Sequence, residues 1–367
     1  MRILWFNWRD WTHPWAGGAE AHVYEVTRRF AKWGHEVTLL SGEYEGCRRR
    51  EELSEVEIIR KGNPFTTYLY AAKEYLQNLR ERDYDVVVDD INGVPFFTPL
   101  YVREPKLAIV HHLVKEIFFQ QLPWLKATIG YLAERSIPVL YRNTPFIAVS
   151  NSTREELLKF GVSERNITVV NYGREYGCLG PSEKSHLPTV LYFNRIRRYK
   201  NVDDLIRAFK IVKDEISDAR LLIVGCRGDD EYENEVRALA RDLRLRDVEF
   251  RGFVTGDEKK GVLGQSWVHV LPSVREGWGM SVIDAAACGT PSVAYDVPGL
   301  SCSIKNGKTG LLVPYHDVEA LAGAILRILV DEELRTRFSK NAIEWSRNFD
   351  WDKTAKLTLE RLRQISR

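Results

Sequence analysis

Two carboxylates, Glu276 and Asp284, are separated by seven residues in the stretch from Arg275 to Pro291, REGWGMSVIDAAACGTP. Gly277, Trp278, Gly279, Met280 and Ser281 lie between them, and an Ala-rich run follows to Gly289 and Pro291. The pattern reads as a glycine-rich turn opening a short helix. Glycines at 277 and 279 let the backbone approach a ligand closely. The N–H groups at the helix start, around Met280 and Ser281, suit a phosphate. Glu276 precedes the helix and reaches hydroxyls on one side of that phosphate. Asp284, about a turn and a half in, reaches hydroxyls on the other. A phosphate flanked by two polyols is a nucleotide-sugar.

Three further clusters carry chemistry. Asn194 to Asn201, NRIRRYKN, follows an apolar strand, so Arg195 and Lys200 sit at a strand's carboxyl end. Arg offers a planar fork and Lys a compact point charge, a pair suited to a diphosphate. Arg197 and Arg198 fit a solvated basic loop. Gly17-Gly18 opens a helix after the first strand and is either a phosphate cradle or a simple tight turn. His111-His112 closes a strand, and their side chains point to opposite faces, so one of the two faces a ligand there. The G-x-G-x-x-G fingerprint is absent at Gly17-Gly18 and at Gly225, which weighs against a nicotinamide cofactor. Asp89-Asp90 and Asp229-Asp230 lack Asp-x-Asp spacing, and no metal site is expected.

With these motifs the chain resembles the retaining glycosyltransferases of family four, which have the two-domain GT-B fold. That family's hallmark is Glu, seven residues, Glu, in a segment like EGFGLPVLEAMACGTP. The match here is Glu276, Gly277, Gly279, Ala285, Ala287, Cys288, Gly289, Thr290 and Pro291, with Asp284 where Glu is usual. The resemblance implies that Arg195 and Lys200 hold the donor diphosphate and that Glu276 contacts the sugar. It gives Asp284 the ribose. Gly17 and Gly18 lie near the distal phosphate and the acceptor. His111 is favoured by register as the histidine touching the donor sugar, with His112 as the alternate. Arg251 to Val254 resembles the segment lining the nucleobase pocket, with Arg227 nearby. One departure is Val170-Asn171-Tyr172-Gly173-Arg174-Glu175, where Asn-Gly-Val-Asp is usual: Gly173 matches, and Tyr172 or Asn171 replaces the usual Asn. The implied reaction moves a sugar from a UDP- or GDP-sugar to a hydroxyl acceptor with retention, without metal or other cofactor. A nucleotide-sugar epimerase of the same fold is the alternative.

These residues need a scaffold of alternating strands and helices. Strands are expected at Ile3 to Phe6, Glu36 to Ser41, Val86 to Val88, Leu107 to Val110 and Pro145 to Ser150. Helices are expected at Ala19 to Trp33, Tyr68 to Arg82 and Ser152 to Phe160. The alternation restarts at Thr189 and ends with a helix from Asp350 to Ile365. This is the α/β class: two doubly wound, Rossmann-like domains with parallel sheets, facing across a cleft at their strands' carboxyl ends. The expected divisions are residues 1–174 on the acceptor side, a linker at 175–188 and a nucleotide-sugar domain at 189–349. Residues 350–367 form a helix crossing back to the first domain.

Composition agrees. The chain has 367 residues, is 44% hydrophobic and 28% charged, and carries a formal net charge of +2, too small to argue for nucleic acid. Its five cysteines show no CxxC spacing. The N-terminus does not read as a signal peptide, and a cytoplasmic location is expected. Residues 113–142 mix Phe118, Phe119, Leu122, Trp124, Leu125, Ile129 and Leu132 with Lys115, Lys126, Arg135 and Arg142. They form either a core-packing helix pair or an amphipathic surface for peripheral contact with the inner membrane face. The acceptor is accordingly a sugar, a lipid-linked hydroxyl or a small molecule.

Overall fold

The computed structural model describes residues 1–175, 183–225 and 228–366. Cys178, Cys226 and Arg227 therefore lie outside the described residues, as does the middle of the expected linker. The chain divides into two compact units, Met1–Gly173 with Asp350–Arg367, and Arg174–Phe349.

The first unit is built on eight strands: β1 (Arg2–Phe6), β2 (Glu36–Ser41), β3 (Arg50–Leu53), β4 (Val56–Arg60), β5 (Val86–Ile91), β6 (Lys106–Val110), β7 (Phe146–Ala148) and β8 (Ile167–Val169). Their order in the sheet is β3-β4-β2-β1-β5-β6-β7-β8. All neighbouring pairs are parallel except β3 with β4. Ile3 to Phe6 and Val86 to Ile91 are buried without alternation, as strands covered on both faces must be. The helix Gly18–Lys32 follows β1 and puts Val23, Val26 and Phe30 into the core. The helix Asn151–Phe160 is capped by Ser150, whose Oγ accepts the Thr153 N–H at 3.1 Å. The last helix, Trp351–Ile365, packs on the Gly18–Lys32 helix within this unit, tied by Arg29 Nε to Asp352 at 2.5 Å.

The antiparallel hairpin β3–β4 corrects the expectation of a purely parallel sheet. Its turn, Ser54-Glu55, has φ of 53° and 63°. Both values lie in the left-handed region, where Asn and Gly are the usual residues. Without either residue, and with β3 (REEL) mostly charged as an edge strand allows, the hairpin has no turn signal in the sequence.

The second unit carries β9 (Thr189–Phe193), β10 (Arg220–Val224), β11 (Val248–Gly252), β12 (Val268–Leu271), β13 (Ser292–Tyr295) and β14 (Gly310–Val313). The order β11-β10-β9-β12-β13-β14 is all parallel and doubly wound, reversing between β9 and β12. Val190, Tyr192, Leu221, Ile223, Val268, Val270 and Val293 form the centre of its core, covered by the helices Val202–Glu215 and Val318–Val330. The far end of the expected linker is packed onto this unit. The Lys184 ammonium donates to the carbonyls of Gly264, Ser266 and Gly289 at 2.8–3.0 Å and to Thr290 Oγ1 at 2.8 Å.

Candidate active site

In a doubly wound sheet, ligands bind beyond the strands' carboxyl ends where the order reverses. In the second unit that point lies between β9 and β12. The loop after β9 carries Arg195 and Lys200, and the loop after β12 carries Glu276. Tyr199 O accepts the Val274 N–H at 2.9 Å, joining the two loops. Lys200 and Glu276 form an ion pair, with side chains 4% and 14% exposed, and Ser273 Oγ donates to the same carboxylate at 2.8 Å. The sequence expectation gave these two residues separate roles, whereas the structure couples them. Arg195 is half-buried in the same loop. Arg198 is exposed and paired with Glu235.

The backbone at Glu276 is fixed from behind. Its N–H donates to Pro298 O at 3.1 Å, and Gly299, at φ 87°, lies so close that a Cβ there would stand 2.1 Å from Glu276 O. Gly277 is half-buried beside it. The helix Met280–Ala287 then opens on Gly279 in the left-handed conformation, φ 83°. At that helix start two polar groups are buried with no hydrogen-bond partner: Ser281 Oγ, in a residue 9% exposed, and Trp278 Nε1, in a residue 3% exposed. Orphaned buried donors are uncommon in native proteins and call for a physical explanation. Trp278 packs edge-on against Phe349, with ring centroids 4.8 Å apart. Met280 is half-buried.

Asp284 is 2% exposed. Its Oδ1 accepts the Glu175 N–H at 2.9 Å, and its Oδ2 accepts Lys259 Nζ at 3.0 Å. Lys259 also pairs with the Glu175 carboxylate. Lys259 gave no sequence signal, because a single Lys outside any motif looks like a surface charge, and Glu175 closes the segment 170–175 that departs from the family pattern, with no role assigned to it there. Val254 lies in a small buried cluster with Leu191, Val224 and Ala285, so its side chain is core. Its expected contact with a nucleobase is left to the backbone.

In the first unit the order reverses between β1 and β5. Gly17 and Gly18 are half-buried at the start of the Gly18–Lys32 helix. The Gly17 N–H donates to Glu20 Oε2 at 2.6 Å, and Glu20 forms a buried ion pair with Arg9 at 3.0 Å. His111, at the end of β6, is 3% exposed. It contacts Asp90 through Nε2 and the Tyr172 hydroxyl through Nδ1, and Asp90 accepts from Trp5 Nε1 at 2.8 Å. Both imidazole nitrogens are thus engaged, and His112 is the half-buried one of the pair. Burial raises the Tyr172 phenol well above its ordinary value. The Asp90 carboxylate can only accept, so a neutral His111 carries its proton on Nε2 toward Asp90, and its Nδ1 accepts from the Tyr172 phenol. Tyr172 also stacks on Trp351, with centroids 5.8 Å apart.

His22 stands beside this group, fully buried with neither ring nitrogen bonded, and burial pushes its imidazole down to about 3. Ligand atoms of His22, Asp90 and His111 lie within 4.8 Å of one another, a set of donors that can hold a metal ion. The hydrogen bonds from Trp5 and His111 to Asp90 account for most of the same atoms without one.

Comparison with known proteins follows the same division. Residues 16–175 match the model of Glycosyltransferase Family 4, and residues 181–345 match that of Glycosyl transferases group 1. A D-inositol 3-phosphate glycosyltransferase of Corynebacterium glutamicum is 24% identical over 396 residues, covering 93% of this chain and 90% of that protein. The enzyme of the same name from Kribbella flavida is 32% identical over 221 residues, and the match spans about half of either chain, 54% and 51%. Among solved structures, a sucrose-phosphate synthase from Thermosynechococcus elongatus aligns with a TM-score of 0.83 at 22% identity, covering 99% and 98% of the two chains. An Anabaena protein in complex with UDP-glucose aligns at 0.78 and 16%, covering all of both. The two family models, the named relatives and the doubly wound sheet of each unit agree: this chain belongs to the family-four glycosyltransferases and has their GT-B fold.

Proposed function

We propose that the second unit binds a nucleotide diphospho-sugar, which the enzyme uses to glycosylate a hydroxyl acceptor with retention at the anomeric carbon. The observation that carries this reading is the start of the Met280–Ala287 helix. There a left-handed Gly279 presents backbone N–H groups, the Ser281 hydroxyl is buried without a partner, and Lys200 is held close by on Glu276. Helix N–H groups and cations stabilise the negative charge that develops on a departing diphosphate. The bond from the anomeric carbon to the phosphate oxygen breaks as the acceptor oxygen attacks from the same face. The acceptor's proton passes to a phosphate oxygen, so no protein nucleophile is required. In this reading Arg195 and Lys200 hold the diphosphate, and Glu276 accepts hydroxyls of the sugar. His111 has both ring nitrogens engaged, by Asp90 and Tyr172, so it positions the end of β6 and the sugar contact passes to the alternate, His112.

The test is thermal stabilisation by UDP, GDP and ADP and their sugars. A ligand at a hundred times its Kd adds roughly 2.7 kcal/mol to the unit that binds it. If none of them shifts the melting temperature, the donor reading fails. An epimerase would convert the UDP-sugar without an acceptor. A transferase needs one, and the inositol 3-phosphate in the relatives' name is a soluble first probe.

Metal is not required in this mechanism, because fixed cations and the helix terminus supply the positive charge. Transfer is expected to survive EDTA. Complete loss that Mg²⁺ or Mn²⁺ restores would sink the metal-independent mechanism.

The acceptor side includes a peripheral membrane contact. The helix Trp124–Arg135 packs inward through small residues, Ala127 and Gly130, which lie against Phe118. It turns Trp124, Leu125, Ile129 and Leu132 outward at 74%, 66%, 61% and 61% exposure. Its acidic residue, Glu134, is buried and accepts the Lys115 N–H at 2.8 Å, while Lys126 and Arg135 stay exposed. An apolar helix face flanked by Lys126 and Arg135 suits an anionic lipid surface. No described helix is long and apolar enough to cross a membrane, so any attachment through helices is peripheral. The protein is expected to pellet with phosphatidylglycerol vesicles at low salt and to be released at high salt. Failure to pellet at low salt would leave a soluble acceptor.

A further inference from the structure

Asp284 is too deep for the role its position suggests. Its side chain is 3% exposed, and each of its carboxylate oxygens already accepts a hydrogen bond, Oδ1 from the Glu175 N–H and Oδ2 from Lys259. An aspartate ends about 1.5 Å short of a glutamate, one C–C bond. Here Lys259 fills the gap. It comes from the helix Gly256–Gln265, and its side chain is itself only 12% exposed. On the open side of the Lys259 ammonium stands a second carboxylate, Glu175, whose side chain is 45% exposed. Burial alone would lower the Lys259 ammonium, but Asp284 and Glu175 outweigh it, so the group stays charged between them. The result is a carboxylate–ammonium–carboxylate row anchored at Asp284 and open at Glu175.

The row begins one turn into the helix whose N-terminus is assigned to the phosphates, on the side away from Glu276. That is where the nucleoside of a bound donor must lie. From this geometry we propose that Glu175 is the carboxylate that accepts the ribose hydroxyls, and that Asp284 is a positioning residue acting through Lys259 and through the Glu175 main chain. The proposal rests on the donor reading above. It relocates the ribose contact from the helix to the segment that opens the second unit. The backbone hydrogen bond from Glu175 to Asp284 fixes where that segment starts, and the ammonium fixes where its side chain ends. A carboxylate accepting two vicinal hydroxyls discriminates against a nucleotide lacking either one, because a charged acceptor then loses its donor.

The test measures binding of UDP, 2′-deoxy-UDP and 3′-deoxy-UDP by calorimetry to the full chain and to two variants, Glu175→Ala and Asp284→Asn. The wild type is expected to bind UDP about tenfold or more tightly than at least one deoxy analogue. In Glu175→Ala that ratio should fall to about one, UDP weakening while the analogue keeps its affinity. Asp284→Asn should weaken UDP while keeping part of the preference, because Glu175 remains. Glu175 is half exposed, so its variant should melt at the wild-type temperature. If Glu175→Ala keeps the full preference and Asp284→Asn abolishes it, Asp284 reads the ribose and the proposal is overturned. A wild type that binds UDP but shows no preference overturns it as well. A wild type that binds none of UDP, GDP and ADP overturns the donor reading instead.

Discussion

Lys200→Ala is expected to lower both the stability of the second unit and its affinity for a nucleoside diphosphate, and the two losses can be separated. Lys200 is 3% exposed and its ammonium is paired with Glu276. Removing it leaves a largely buried carboxylate without its cation, with the Ser273 hydroxyl still donating to it. Breaking such a pair from one side costs about 3–5 kcal/mol, which corresponds to a melting temperature lower by roughly 6–20 °C for a unit of this size. The lost contact with the diphosphate costs a further 1.5–3 kcal/mol or so, about ten- to a hundredfold in Kd. In the double variant Lys200→Met, Glu276→Gln no buried charge is stranded, so much of the melting temperature should return while the affinity does not. Arg195→Ala removes a half-buried side chain and should weaken UDP binding with little change in melting temperature. If both single variants bind UDP like the wild type, the clamp is misassigned.

Most of the scaffold behind this clamp was readable from the chain. Glu36–Ser41 has the same bounds as the strand observed, because a buried apolar run ended by polar or Gly residues is self-delimiting. The helix Gly18–Lys32 was displaced by only a residue at either end. The β3–β4 hairpin was invisible because its turn uses Ser and Glu in a conformation that Asn and Gly usually occupy. For residues 113–142 periodicity left two readings open, because small residues such as Ala127 and Gly130 can form a packing face that no hydrophobicity count detects. Of the site, the motif residues were legible because their order along the chain matches a pattern. Their couplings were not. Lys200 and Glu276 are 76 residues apart, Lys259 and Glu175 are 84 apart, and His111 and Tyr172 are 61 apart. Pairings at such separations are made by the winding of the sheets, and nothing local in the sequence records them.

Glu276→Gln and Gly299→Ala are expected to produce the same kinetic defect by different routes. Glutamine keeps the size of Glu276 but gives up its charge, and with it the strong hydrogen bonds that a carboxylate accepts from sugar hydroxyls. The loss should be about 1.5–3 kcal/mol in kcat/KM, and nucleoside diphosphate affinity should change far less, since those contacts lie on the sugar side. Gly299 touches no substrate in this reading. Its φ of 87° is one that a residue with a side chain rarely adopts, and its Cβ would overlap the carbonyl of Glu276. Gly299→Ala must therefore push the Glu276 backbone away from the Pro298 carbonyl that holds it. The carboxylate survives in that variant but stands in the wrong place, so kcat should fall by a comparable factor while UDP still binds. Adding Glu276→Gln to Gly299→Ala should then cost little more than either change alone, because both remove the same interaction. Full additivity of the two losses would mean that the 298–299 loop acts on something other than Glu276. A Glu276→Gln variant that loses UDP affinity and retains kcat would place this carboxylate on the nucleotide rather than on the transferred sugar.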